Sequence, residues 1–241
     1  MHPPVHKWWD DHPDEKFWLE ITDRPDLGVD LKAPQTDDNG HEYWSYSLVT
    51  EVKDGDIVFH YHKPKAAIVA WSRAVGTYWH DAIVWAAHGT VAREAGVTPY
   101  RRPGWALGLE DFSLLDHPVS LQEIREREPE LKTMVTKLEV THGRPIYFPI
   151  ALSSHRPPRP AQGYLTKLPS DFVNLFPAMT AAATTARESV AIRDQSQVTQ
   201  SRAIGVDYRP ADEEASTSER DAFSVDPADR VPPRGVSRTP S

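Results

Sequence analysis

Apolar and polar positions alternate most clearly in two adjacent runs. Asp56 to His62 (DIVFHYH) and Ala66 to Gly76 (AAIVAWSRAVG) are both rich in β-branched and aromatic residues. The pattern predicts two strands joined by a short turn at Lys63-Pro64-Lys65. Phe17 to Thr22 (FWLEIT) reads as a further strand, stopped by the turn formers Asp23, Arg24 and Pro25. Residues 33–42 form a polar loop. Beyond it Trp44, Leu48, Val49 and Val52 fall on one face of a short helix, closed by Asp54-Gly55. Residues 81–104 show no clear period, and WALGLEDFSLL (Trp105 to Leu115) reads as another strand.

The second half is more helical. Ser120, with Glu123 three residues on, has the form of a capping box, and the helix it opens runs towards Leu138 with an interruption at Pro129. Ile146 to Leu152 (IYFPIAL) predicts a short strand, GYLTKLP follows a Pro-Arg loop, and a last helix starts at about Ser170. Its alanine-rich continuation, Ala178 to Ile192, has high helix propensity but little apolar periodicity. Beyond Asp194 few large apolar residues remain among Ser, Arg, Asp, Glu and Pro. The expectation is an α+β chain with a small mixed β-barrel, flanking helices and a disordered C-terminal tail. Residues 1–190 would form the domain, and 191–241 a linker or the truncated start of a second one. The 22 prolines and the low hydrophobic fraction of 39% fit a folded part with unfolded appendages.

Composition then removes several chemistries. There is no cysteine, so disulfides and thiolate metal sites are excluded. No signal-peptide core is present, and no run reaches the roughly 18 apolar residues of a bilayer span, so the chain reads as soluble and cytoplasmic, with no membrane partner. The net charge of −8 argues against nucleic-acid binding through global electrostatics but leaves room for a local basic face. His60 and His62 stand two apart on one strand, a spacing that chelates zinc only with a third ligand that the sequence does not mark. Alternation sets them opposite Phe59 and Tyr61, on a solvated face or an edge. No nucleophile elbow, phosphate loop or nuclease cluster is found, so no catalytic residue, metal or cofactor is assigned.

Recognition chemistry has more to draw on. All eight tryptophans lie between Trp8 and Trp105. Large flat rings grip planar ligands, although core filling is an equal alternative for any one of them. Trp44 precedes Ser45 at a helix start, Trp79 follows the second long strand, and Asp23 is a polar acceptor just after the first. Proteins that read flipped or single-stranded bases combine such groups: aromatic faces for stacking and polar atoms for the base edge. Trp18, Trp71 and Trp105 sit inside apolar strands and read as core. Lys63, Lys65, Arg73, Arg101 and Arg102 are candidates for the nucleic-acid backbone, with solvated loops as the plain alternative for each.

The series FWLEITDRPDLG, YWSYSLVTEVKDGDIVFHYH and AIVAWSRAVGTYW resembles the PUA-like superfamily in its EVE and YTH branch. There a strand ending in a polar residue, a Trp-Ser helix start and a Gly-Asp strand build an aromatic cage around a modified base. Residue by residue, the resemblance implies Trp44 and Trp79 as cage walls, Ser45 at the base edge and Asp23 as a base-contacting acceptor. It covers about residues 15 to 115. The region to about 180 is similar to the longer version that precedes HNH nucleases in modification-dependent restriction endonucleases. This implies a binding module for methylated or hydroxymethylated cytosine, or methyladenine, in DNA, with a nuclease domain or subunit as partner. No HNH motif follows here. A nuclease with an unrecognised centre, an RNA-binding PUA-like protein and a structural protein with all its tryptophans in the core stay open as alternatives.

Overall fold

FWLEIT folds as strand β1 (Phe17–Thr22), and all six of its residues are buried. Burial on both faces follows from its neighbours. β1 pairs in parallel with β3 (Ile57–His62) and antiparallel with β8 (Leu165–Leu168), and a strand inside such a sheet reads as a continuous apolar run. The computed structural model describes residues 7–37, 39–85 and 99–189, all belonging to one unit, Met1–Val198. The boundary expected at 190 and the tail 191–241 lie outside the described residues.

Six strands form one sheet in the order β2-β5-β4-β3-β1-β8, with β2 at Asp30–Pro34, β4 at Ala67–Trp85 and β5 at Tyr100–Ser120. β3, β4 and β5 are an antiparallel meander whose first link is the expected Lys63–Lys65 turn. Both long strands exceed their predicted lengths. Register shifts in the β4–β5 ladder fall at Ile68/Ala70, Trp71/Arg73 and Val75/Trp79. Such irregularities bend a strand and raise its twist, and Gly76, at φ +68°, supplies a backbone state at the third that other residues resist. The sheet therefore curls. Its two edges meet at Tyr164, just before β8: the Tyr164 hydroxyl accepts from the Lys32 amide of β2 at 3.1 Å, and its carbonyl accepts from Ile21 at 2.7 Å.

The curl is filled by α1 (Trp44–Ser47) and the 3-10 turn Leu48–Glu51, which touches β2, β4, β5 and β8. Leu48 and Val49 are buried there, as the helical spacing predicts. Trp8 and Trp9, buried ahead of β1, close the other side of the core. They pack edge-on in series with Trp18, at centroid distances of 5.8 and 5.4 Å.

α2 (Leu121–Glu126) starts with the expected capping box, both reciprocal hydrogen bonds being present between Ser120 and Glu123. α3 (Glu128–His142) restarts with Pro129 in its first turn. A two-stranded ribbon, β6 (Ile150–Ala151) with β7 (Arg159–Pro160), leads to β8, then α4 (Ser170–Asn174) and α5 (177–189). This is a curled, mixed α+β half-barrel with flanking helices, in line with the expected α+β chain built on a small mixed β-barrel. No helix among the described residues is long and apolar enough to cross a membrane.

One expectation is overturned. His60 is fully buried, not on a solvated face. Alternation does set it opposite Phe59, but in a curled sheet with both faces covered the second face is interior too.

Candidate functional site

α1 is short and begins without a side-chain cap at Tyr43. Two of its amides are satisfied locally: Tyr46 and Ser47 both donate to the Tyr43 carbonyl, at 2.9 and 3.4 Å. The turn projects aromatic side chains to both sides. Trp44 meets Tyr147 edge-on at 4.4 Å and 80°, while Tyr43 contacts both Trp44 and Tyr46. Tyr46 meets Trp85 at 5.8 Å, and Trp85 meets Tyr164 at 5.3 Å and 89°. Six rings thus form a chain from the 145–149 segment, across α1, to the seam where the sheet edges meet. Edge-on neighbours leave π-faces at right angles to one another, which suits walls and floor of a slot better than a packed stack. Tyr43 is exposed, and Trp44, Tyr46, Trp85 and Tyr147 are half-buried.

Ser45, next in the chain to Trp44, is fully buried, and its hydroxyl oxygen has no hydrogen-bond partner among the described residues. The indole nitrogen of Trp85 is likewise buried and unpartnered. Buried polar atoms are nearly always satisfied, so two orphans along one line of rings are a signal. Gly163 makes the close approach possible. A Cβ at that position would stand 2.5 Å from the Tyr147 hydroxyl and 4.0 Å from Ser45 Cβ. The Tyr147 hydroxyl donates to the Gln162 carbonyl at 2.8 Å. Burial, and then the neighbouring Tyr43, push its pKa well above the usual tyrosine value, so it stays neutral.

Asp23 is exposed at the end of β1, the end at which Tyr164 closes the sheet. The loop after it is fixed by Arg24, whose guanidinium holds Asp26 at 2.8 and 3.0 Å and Asp30 at 2.8 Å. Its hydrogen bonds depress the Asp26 carboxyl below its ordinary range.

Trp44 and Ser45 are therefore brought together against Tyr147 and Gly163, with Asp23 at the neighbouring strand end. Trp79 stands elsewhere. It is 46% exposed, six residues before Trp85 on an unbroken stretch of ladder, or roughly 20 Å along the strand. Trp85 is the tryptophan of β4 that reaches the rings of α1. It lies in the stretch 81–104 that shows no clear period, two residues after the buried Ile83. Tyr147 and Tyr164 carried no local signal, being joined to α1 by closure of the sheet.

The basic candidates divide by exposure. Lys63, Lys65 and Arg101 are exposed. Two others need correcting as backbone contacts. Arg73 is buried in ion pairs with Glu110 and, at 3.0 Å, Asp111, and Arg102 is buried with its guanidinium on the Thr36 and Asp37 carbonyls at 2.8 and 2.6 Å. Among the described residues no group of three or more His, Asp or Glu is placed to hold a metal ion.

No family model matches the chain, and no curated protein matches it. Solved structures do. A protein from Pseudomonas putida matches at 13% identity and TM-score 0.38, over 71% of this chain and 99% of its own. The N-terminal domain of Staphylothermus marinus McrB matches at 14% and 0.38, over 69% and 94%. Human THYN1, in complex with DNA containing 5-methylcytosine, matches at 12% and 0.36, over 66% and 94%.

Proposed function

We propose that this chain binds a modified base in DNA, held against the aromatic faces around Trp44 and read at its edge by Ser45. The observation that carries the reading is the line of six rings, edge-on at every step but the tilted Tyr43–Trp44 one, with two buried polar atoms beside it, Ser45 Oγ and Trp85 Nε1, that have no partner among the described residues. A base supplies what that arrangement lacks: a flat π-system for the ring faces, and donors and acceptors for the orphaned atoms. Asp23, an acceptor at the strand end, faces an exocyclic amine. Trp79, exposed on β4 roughly 20 Å from Trp85, stacks on a neighbouring nucleotide and not on the modified base. Lys63, Lys65 and Arg101 are assigned to phosphates, Arg101 at the Trp85 end of the β4–β5 ladder and the two lysines in the turn at its other end.

The base is methylated or hydroxymethylated cytosine, or methyladenine, and the biological setting is restriction or defence, with a nuclease domain or subunit acting on the DNA the module selects. 5-Methylcytosine, the base in the DNA bound by human THYN1, is the first probe. Oligonucleotides carrying each base, single-stranded and duplex, are titrated against their unmodified counterparts. The reading expects a preference for one modified base, with Trp44→Ala costing about 1–3 kcal/mol of binding. Equal, weak affinity for all probes overturns it, and preferential binding of structured RNA in competition would favour the RNA-binding alternative.

A further inference from the structure

Behind the ring line lies a polar network that the base-binding proposal does not use. Glu20 of β1 and His60 of β3 are register partners in the parallel pair, and both are buried. His60 Nδ1 lies 2.6 Å from Glu20 Oε2, and its Nε2 lies 2.8 Å from Ser72 Oγ on β4. The other carboxylate oxygen, Glu20 Oε1, accepts from the Tyr164 hydroxyl at 2.7 Å, with the Arg24 guanidinium at 3.9 Å. Tyr164 in turn accepts from the Lys32 amide and carries Trp85 on its ring. The spacing is that of a hydrolytic Ser-His-Glu relay, but Ser72 and His60 are both sealed from solvent, so no substrate reaches the hydroxyl.

A buried polar network is seldom the most stable filling of a core, since apolar residues of similar volume often do as well or better. What a fully satisfied network provides is fixed position. We infer that Glu20 and His60 are positioning residues for the aromatic site: held by His60, which Ser72 fixes in turn, Glu20 pins the Tyr164 hydroxyl and so fixes Trp85 against Tyr46. The inference rests on the base-binding reading for its purpose, but not for its geometry. Burial, and then Glu20, keep the Tyr164 phenol protonated far above neutral pH, so it remains a donor to the carboxylate.

The test separates the two. Protein labelled with 5-fluorotryptophan gives a 19F resonance for Trp85, assigned by its loss in W85F. Tyr164→Phe keeps the ring and removes only the pinned hydroxyl. Glu20→Leu with His60→Leu replaces the pair by apolar volume, and Glu20→Gln keeps an acceptor for Tyr164. The expected result is a shifted or broadened Trp85 signal in Y164F and in the double variant, restored in E20Q. Affinity for 5-methylcytosine DNA should fall about tenfold in the first two and stay within about threefold in E20Q. An unmoved Trp85 signal in folded Y164F overturns the inference, whether or not the double variant folds. If wild type shows no preference for modified DNA, the base-binding reading fails while the fluorine signal still decides the positioning role.

Discussion

Lys167 lies 4.2 Å from the centre of the Trp18 ring and 3.8 Å from Asp56, whose same oxygen accepts from the Trp18 indole at 2.7 Å. Burial pushes its ammonium down from the usual 10.5 to about 8, against the pull of Asp56. Between those values the unfolded chain holds a proton that the folded chain has released, so this group makes stability rise with pH from about 8 to 10.5 and leaves it flat below. Lys167→Met lacks that slope. Chemical denaturation of both proteins at pH 8 and pH 10 should show their stability difference changing by roughly 2 kcal/mol, and parallel curves would contradict the assignment. Gly163 is the second residue with a sharp consequence. Gly163→Val drives a side chain into the Tyr147 hydroxyl. Binding should weaken about tenfold, comparable to losing one wall group, and circular dichroism should show the fold retained.

Elements were legible where neighbours in sequence are neighbours in space. The β3–turn–β4 pair, the Trp44–Val52 helix face and the Ser120–Glu123 box each depend on contacts within a few residues. That box makes its own prediction. Ser120→Ala removes the side chain that accepts from the Glu123 amide and that holds the Glu123 carboxyl below its ordinary range. It should cost about 1 kcal/mol in a denaturant titration at pH 7. The penalty should shrink as pH falls through the Glu123 range, because the depressed carboxyl stabilises only while ionised. What was not legible depends on distant pairing. The parallel register of β1 with β3 leaves no local trace, yet it turns the His60 face inward. The reach of β4 to Trp85 was hidden because its partner residues begin only at Tyr100.

At the scale of the whole molecule, one closure makes both fold and site. Curling brings the β2 and β8 edges to Tyr164, and the same tyrosine backs Trp85. Part of the candidate site could therefore be read directly: Trp44 and Ser45 are adjacent, and their helix start is a local pattern. Trp85, Tyr147 and Gly163 belong to segments that only the closed sheet joins to it. The basic residues follow the same logic, since burial and ion pairing take Arg73 and Arg102 out of reach of a backbone while Lys63, Lys65 and Arg101 stay exposed. With about three phosphate contacts, log affinity against log salt should slope at roughly −2 to −3, and replacing those three residues by alanine should flatten it. A slope unchanged in the triple variant would place the backbone elsewhere.

The most direct measurement is the affinity of wild type and Trp44→Ala for one duplex with and without a single 5-methylcytosine, repeated with 5-hydroxymethylcytosine and N6-methyladenine. The account predicts that wild type prefers one modified duplex by at least about tenfold, and that W44A, still folded, loses that preference while keeping its weak affinity for unmodified DNA. Equal affinity of wild type for every duplex, or a preference that survives W44A intact, would contradict it.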